Sequence, residues 1–212
     1  MPGRRKVGNL TALAVLAVLV ERPMHPYEMA TTLRDRGKDQ DMGIKWGSFY
    51  TVVRNMERHG LIAAVKSVRE GRRPERTVYR ITDEGRAELV DWARELVATP
   101  VAEHPRFRAG LSVLAALHPD EAVTLLQGRL SQLEDGIRTE RAALAEHARL
   151  VPRLFLVENE YDLTIREAEA AWIRSLLAEL SSGSYPGLDE WRAYHEAGAP
   201  EPGPTGGGGT TT

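Results

Sequence analysis

Residues 49–65 read FYTVVRNMERHGLIAAV, and within this stretch the spacing of the apolar positions changes. On a helical wheel Phe49, Val52, Val53 and Met56 share one face, while Thr51, Arg54 and Arg58 fall opposite, flanked by Tyr50 and Asn55. Ser48 is placed to cap this helix and Gly60 to end it. Past Gly60 the period becomes two: Leu61, Ala63 and Val65 alternate with Ile62, Ala64 and Lys66. Thr77, Tyr79 and Ile81 alternate likewise with Val78, Arg80 and Thr82, and the charged Gly/Pro stretch between the two runs predicts a β-hairpin.

Two further helices precede this pair. Asn9 can cap a run from Leu10 to about Val20, apolar nearly all round and therefore central. Its eleven residues are too short to span a bilayer, and Glu-Arg-Pro-Met-His follows where a secretory leader would carry small residues. Pro26 suits the first turn of a second helix, Tyr27 to Arg36, and a Gly-rich polar loop occupies 37–47. Three helices and a hairpin in about 75 residues form a winged helix-turn-helix.

The second half is helical throughout. Thr82-Asp83-Glu84-Gly85 opens a helix from Arg86 to about Ala98, with Leu89, Trp92, Ala93 and Leu96 on one stripe. Pro100 and Pro105 bracket a linker, and Phe107, Leu111, Leu114 and Leu117 predict three helical turns. The longest helix is expected from Pro119 to about Leu150, with an apolar seam of Val123, Leu126, Leu130, Leu133 and Ile137 that is interrupted at Glu140 and His147. A last amphipathic helix is expected on Ile165, Ala168, Trp172, Leu176 and Leu180. The seam and the second stripe, Trp172 and Leu176 in particular, are more than one chain is expected to bury alone, which predicts dimerisation through them. The organisation expected is a mainly α chain. It has a DNA-binding domain over 1–98, a helical dimerisation and effector domain over 99–196, and a disordered Gly/Pro/Thr tail over 197–212.

Charge points to a polyanion. The net charge of the 212 residues is −2, yet residues 1–82 hold 16 Lys and Arg against 8 Asp and Glu, and residues 83–212 hold 12 against 22. Of the eleven residues 66–76 at the hairpin tip, five are basic: Lys66, Arg69, Arg72, Arg73 and Arg76. A tip needs only turn residues, so these cations predict contacts to phosphates or the minor groove. The leader Arg4-Arg5-Lys6 is a further candidate for tracking the backbone. The face of Tyr50, Thr51, Arg54, Asn55 and Arg58 offers donors suited to base edges in the major groove. A winged helix that binds protein instead would expose apolar side chains there.

Other chemistries find little support. There is no cysteine, which excludes disulfides and thiolate metal sites and fits a reducing cytoplasm. The six histidines have no metal-ligand spacing, Gly206–Gly209 lacks the Lys-Ser/Thr of a phosphate loop, and no Gly-x-Ser-x-Gly elbow occurs. No enzyme, metal or cofactor is expected. Trp92 and Trp172 are the candidate anchors for a small effector, since flat aromatics stack on ligands.

The stretches LTALAVLAVLVERPMHPYEMATTLRDR (10–36), GSFYTVVRNMERHGLI (47–62) and RTVYRITDEGR (76–86) together resemble the PadR family of bacterial transcriptional regulators. Residues 103–181 resemble the helical C-terminal domain of its larger members. The resemblance implies a homodimer that usually represses, with the recognition helix in the major groove of operator DNA and the wing alongside. It also implies release by a small, often aromatic, effector. It assigns Tyr27 to the tyrosine of the family's His-Gly-Tyr-Glu motif, and Gly47, Ser48, Phe49 and Tyr50 to its Gly-Ser-Leu-Tyr helix start. Two positions depart from the pattern: Pro26 stands where glycine is usual, and Thr51 where proline is frequent. Contacts in that first turn are therefore expected to differ.

Overall fold

A computed structural model describes residue 5 and residues 7–38, 42–68 and 76–197; for Lys66–Val68 and Arg76 it describes the backbone only. Arg4, Lys6, Arg69, Arg72, Arg73 and the tail from Gly198 lie outside the described residues, so the expectations placed on them do too. The chain divides into two compact units at Ala102/Glu103.

The first unit is a winged helix. Helix α1 spans Leu10–Leu19 and buries eight of its ten side chains, as its all-round apolar sequence requires. Asn9 Oδ1 accepts the Ala12 N–H at 3.0 Å and caps it. Helix α2 spans Pro26–Asp35, with Pro26 in the first turn and His25 Nδ1 accepting from the Tyr27 N–H at 3.1 Å. A 3-10 turn, Trp46–Ser48, leads into α3, Phe49–Arg58.

At the end of α3, Gly60 takes φ +75°. Its N–H reaches Glu57 O, and the Leu61 N–H reaches Met56 O at 3.0 Å. This paired closure needs a left-handed residue, which glycine adopts without Cβ strain. It turns the chain straight into the antiparallel hairpin of β1 (Ile62–Val68) and β2 (Arg76–Ile81).

The expected alternation in β1 is only partly realised. Leu61 and Ile62 are both buried, Val65 is exposed, and a bulge between Ala64 and Lys66 resets the register, because β1 leaves the core after its first residue. Helix α4, Asp83–Ala98, starts three residues earlier than predicted. Thr82 Oγ1 caps it by accepting the Gly85 N–H at 3.0 Å. Gly85 is packed against the chain beneath: an added Cβ would lie 2.9 Å from Ile81 Cγ1 and closer still to the Leu61 carbonyl oxygen. One core runs from Val7 through α1, α2, α3 and both strands to Trp92.

The second unit is a helical hairpin with additions. The predicted three-turn helix over 107–117 is broken into α5, Arg106–Leu111, and a 3-10 turn at Leu114–Ala116. The Ser112 hydroxyl folds back onto Ala109 O at 2.7 Å where the helix stops. Helix α6 spans Pro119–His147, capped by His118 Nδ1 on the Asp120 N–H at 3.2 Å; helix α7 spans Val157–Ser182; helix α8 spans Leu188–Glu196. Leu126 meets Ile173, Leu177 and Leu180, and Ile137 meets Leu163 and Ala170, so α6 and α7 lie antiparallel.

The seam on which the dimer expectation rests packs within the chain. Leu126 and Ile137 are buried, and Val123, Leu130 and Leu133 half-buried, against α7 of the same chain. The long leucine seam therefore finds its partner intramolecularly. The stripe expected on α7 is also out of phase: Leu163, Ala170, Ile173, Leu177 and Leu180 are buried, whereas Ile165, Ala168 and Trp172 face outward and Leu176 is half-buried. Trp191 Nε1 donates to Leu117 O at 2.9 Å and fastens α8 to the turn before α6.

Candidate nucleic-acid interface

The geometry of α3 follows from its wheel. Phe49, Val52, Val53 and Met56 are all buried and fix the helix on α1 and its neighbours. With that face pinned, Tyr50, Thr51, Arg54 and Arg58 are exposed and Asn55 half-buried, which brings the predicted reading residues together on one free surface. Two of the pairs are pre-aligned along the helix: Arg54 Nη2 donates to Thr51 Oγ1 at 3.3 Å, and Arg58 Nη1 to Asn55 Oδ1 at 2.9 Å.

Ser48 does not cap α3 with its side chain. Its hydroxyl donates to Lys45 O at 3.0 Å, because the 3-10 turn already supplies the helix entry, and the residue is exposed beside Tyr50. Tyr27 is exposed on the first turn of α2. Its carbonyl oxygen accepts from the Thr31 hydroxyl at 3.1 Å. Lys66 and Arg76 stand on the wing strands, opposite Val78 and Val68.

Sequence reading missed several residues here. Trp46 meets Phe49 at a tilt of 45° with ring centroids 5.4 Å apart and carries the Arg34 guanidinium 3.9 Å above its ring, which braces the turn before α3. A single tryptophan in a Gly-rich, charged loop was the available signal. Glu57, on α3, accepts a hydrogen bond from the buried Tyr79 of β2 at 3.1 Å. Burial, and then the Glu57 carboxylate, raise the Tyr79 hydroxyl above its ordinary pKa, which keeps it a donor.

The leader is partly accounted for. Arg5 donates to Glu88 at 2.6 Å, pairs with Asp91 and Glu95, and lies 5.0 Å over the Trp92 ring. Burial opposes its charge, but the Glu88 and Glu95 hydrogen bonds and charges outweigh it and raise its pKa. Trp92 is therefore a core residue, 4% exposed, with Arg5 on its ring, and presents no open face to an effector. Trp172 is 47% exposed and meets Phe107 edge-on at 6.2 Å; Arg129 stacks on Phe107 at 3.9 Å and donates to Glu169 at 2.7 Å. Among the described residues no group of acidic or histidine side chains could hold a metal, and no helix is long and apolar enough to cross a membrane.

Residues 15–91 match the transcriptional regulator PadR-like family, a family of regulators and not of enzymes. A probable transcriptional regulator of Mycobacterium tuberculosis is 35% identical over 86 residues, which are 39% of this chain and 42% of that protein, less than half its length. Among solved structures, Bacillus subtilis PadR in complex with operator DNA superposes with a TM-score of 0.69 at 18% identity, covering 81% of this chain and 99% of that one. The same protein in complex with p-coumaric acid gives 0.66 at 18% identity, covering 82% and 99%. At that identity the likeness establishes the fold, a winged helix followed by a helical region. By that match, residues 15–91 carry a domain of the PadR-like family of transcriptional regulators.

Proposed function

We propose that the protein is a sequence-specific, double-stranded-DNA-binding regulator that works in the cytoplasm as a homodimer, usually represses, and is released by a small aromatic effector. The observation that carries the DNA reading is the exposed Thr51–Arg54–Arg58 face of α3, backed by four buried apolar residues. A protein-binding winged helix would expose apolar surface there; this one exposes donors. The similarity to a PadR crystallised with operator DNA supports the reading.

On this reading Tyr27, Ser48, Tyr50, Thr51, Asn55 and Arg58 surround the base contacts, and Lys66, Arg69, Arg72, Arg73 and Arg76 meet phosphates or the minor groove. The dimer forms through the second unit, by apolar side chains that its own hairpin leaves open, including Leu154, Phe155, Ile165 and Trp172. The effector is an aromatic molecule, by analogy with the relative bound to p-coumaric acid, and Trp172 beside Phe107 and Arg129 is its candidate anchor.

Sequencing the genomic fragments retained by the purified protein yields the operator. On it, Arg54→Ala costs about 1–3 kcal/mol while leaving random-DNA binding nearly intact. Arg72→Ala with Arg73→Ala weakens operator and random DNA alike and flattens the salt dependence by up to about two contacts per protomer. If neither variant changes DNA binding, the regulator reading fails. If Arg54→Ala weakens both DNAs equally, Arg54 is a phosphate clamp.

A further inference from the structure

Tyr50, Arg54 and Glu57 are spaced four and three apart and form one stripe of α3, on the flank that meets β2. A carboxylate three residues beyond an arginine on a helix lies within reach of an ion pair with it. Among the described residues no ion pair joins Arg54 to Glu57. The carboxylate is held instead by the Tyr79 hydroxyl at 3.1 Å, and Arg54 rests on the Thr51 hydroxyl at 3.3 Å.

Tyr79 is well placed to hold it. Its side chain is buried, and its backbone N–H and carbonyl both pair with Met24 at 3.0 Å, which anchors it to the connection between α1 and α2. It lies opposite Ala64 in β1, so no bulky cross-strand neighbour displaces the ring. The Arg54 charge is felt at the Tyr79 hydroxyl, so the three groups share one neighbourhood.

We infer that Tyr79 is a positioning residue for DNA reading: by engaging Glu57 it withholds the carboxylate from Arg54 and keeps that guanidinium available for a base edge. This rests on the DNA-reading role proposed for Arg54. The neutral hydroxyl of Thr51 is a weak resting partner that a guanine displaces at little cost, whereas a carboxylate would compete with the base for the same donors. The wing thus acts on sequence readout from beneath, through its inner strand, independently of any contact its tip makes.

The test is a double-mutant cycle on the full chain. Tyr79→Phe removes only the hydroxyl, freeing Glu57 to pair with Arg54, and is expected to lower the ratio of operator to random-DNA affinity by about 3- to 10-fold. Adding Glu57→Gln removes the competitor and restores that ratio to within about twofold of the parent. The ratio is the readout because losing a negative charge strengthens binding to every DNA. A hydroxyl with a merely structural role would give no rescue, and that result overturns the inference.

A second arm needs no DNA. In nitrogen-15 spectra of the free protein, the Arg54 Nε–H signal, assigned through its loss in Arg54→Lys, is expected to shift and exchange more slowly in Tyr79→Phe. It should revert in the double variant. An unchanged signal also overturns the inference. Absence of sequence preference in the parent protein would instead bring down the regulator reading, while the Arg54 signal still decides the role of Tyr79.

Discussion

The two units solve the burial problem differently. The first encloses a single core in which Leu16, Met29, Phe49, Met56 and Ile62 are almost wholly removed from water. The second buries two small clusters along its α6–α7 hairpin and leaves Leu150, Leu154, Phe155 and Tyr161 well over half exposed at its turn, with Ile165 and Trp172 about half exposed on α7. Two helices can cover only one face of each other, so a helix with apolar residues on two faces keeps one open. The first unit has the burial of a self-sufficient domain, while the second leaves an apolar face uncovered.

Core truncation should separate them most widely. Leu16→Ala is expected to cost about 2–5 kcal/mol, read as lost hydrogen-exchange protection over α1–α4 that exceeds any loss over α6 and α7. Equal losses in both units would break the comparison. Gly85→Ala forces a Cβ against the Leu61 carbonyl and Ile81, for an expected cost of about 1–3 kcal/mol in thermal melts of the same unit. A melting curve like the parent's would mean that the α4 start shifts freely.

In the second unit the sharper contrast lies between its two faces. Phe155→Asp with Ile165→Asp should give a monomer in sedimentation with helicity retained. Leu126→Asp with Leu133→Asp should reduce helicity as well, because it splits α6 from α7 within one chain. A persistent dimer in the first variant would move the interface elsewhere.

The smallest effects concern pH. The Glu21 carboxylate, hydrogen-bonded to Arg36 at 2.8 Å, is held below the usual carboxylate range, chiefly by that bond. Its contribution is present above its unfolded pKa and lost as pH falls through the folded one. Glu140, between α6 and α7, is pushed up by burial, against the pull of Arg166 at 3.3 Å. Here the folded state holds the proton more tightly, so stability declines as pH rises through the window between the unfolded and folded values. Glu21→Gln should therefore lower the melting temperature slightly near pH 7 and have no effect well below the carboxylate range. Glu140→Gln should raise it slightly near pH 7 and likewise have no effect in acid. Matching signs near pH 7 would refute the assignment.

Much of the first unit was legible because its signals are local. Asn9, Pro26, Thr82 and Gly60 act within four residues of themselves, and the buried face of α3 is a single stripe. The phase of α7 was not legible, because its sequence holds one apolar series through Leu163, Ala170, Ile173 and Leu177 and another through Ile165, Trp172 and Leu176. Periodicity ranks neither, and only packing against α6 selects the first. The same ambiguity turned the Leu126–Ile137 seam into a dimer expectation, since a heptad-like spacing fits an intramolecular partner as well as a second chain. The exposed face of α3 was legible residue by residue, but the Glu57–Tyr79 bond joins positions 22 apart in sequence, and no local pattern announces it.

The clasp of Arg5 by Glu88, Asp91 and Glu95 bears on how strongly salt governs DNA binding. Each phosphate neutralised by a protein cation releases condensed counterions, and the logarithm of the binding constant falls by about 0.9 per contact for each unit of log salt. A cation already neutralised by carboxylates of its own chain brings no such release. The salt slope should therefore be shallower than a tally of lysines and arginines over the basic segment suggests. Arg5→Met should leave that slope unchanged, though α4 loses a tether.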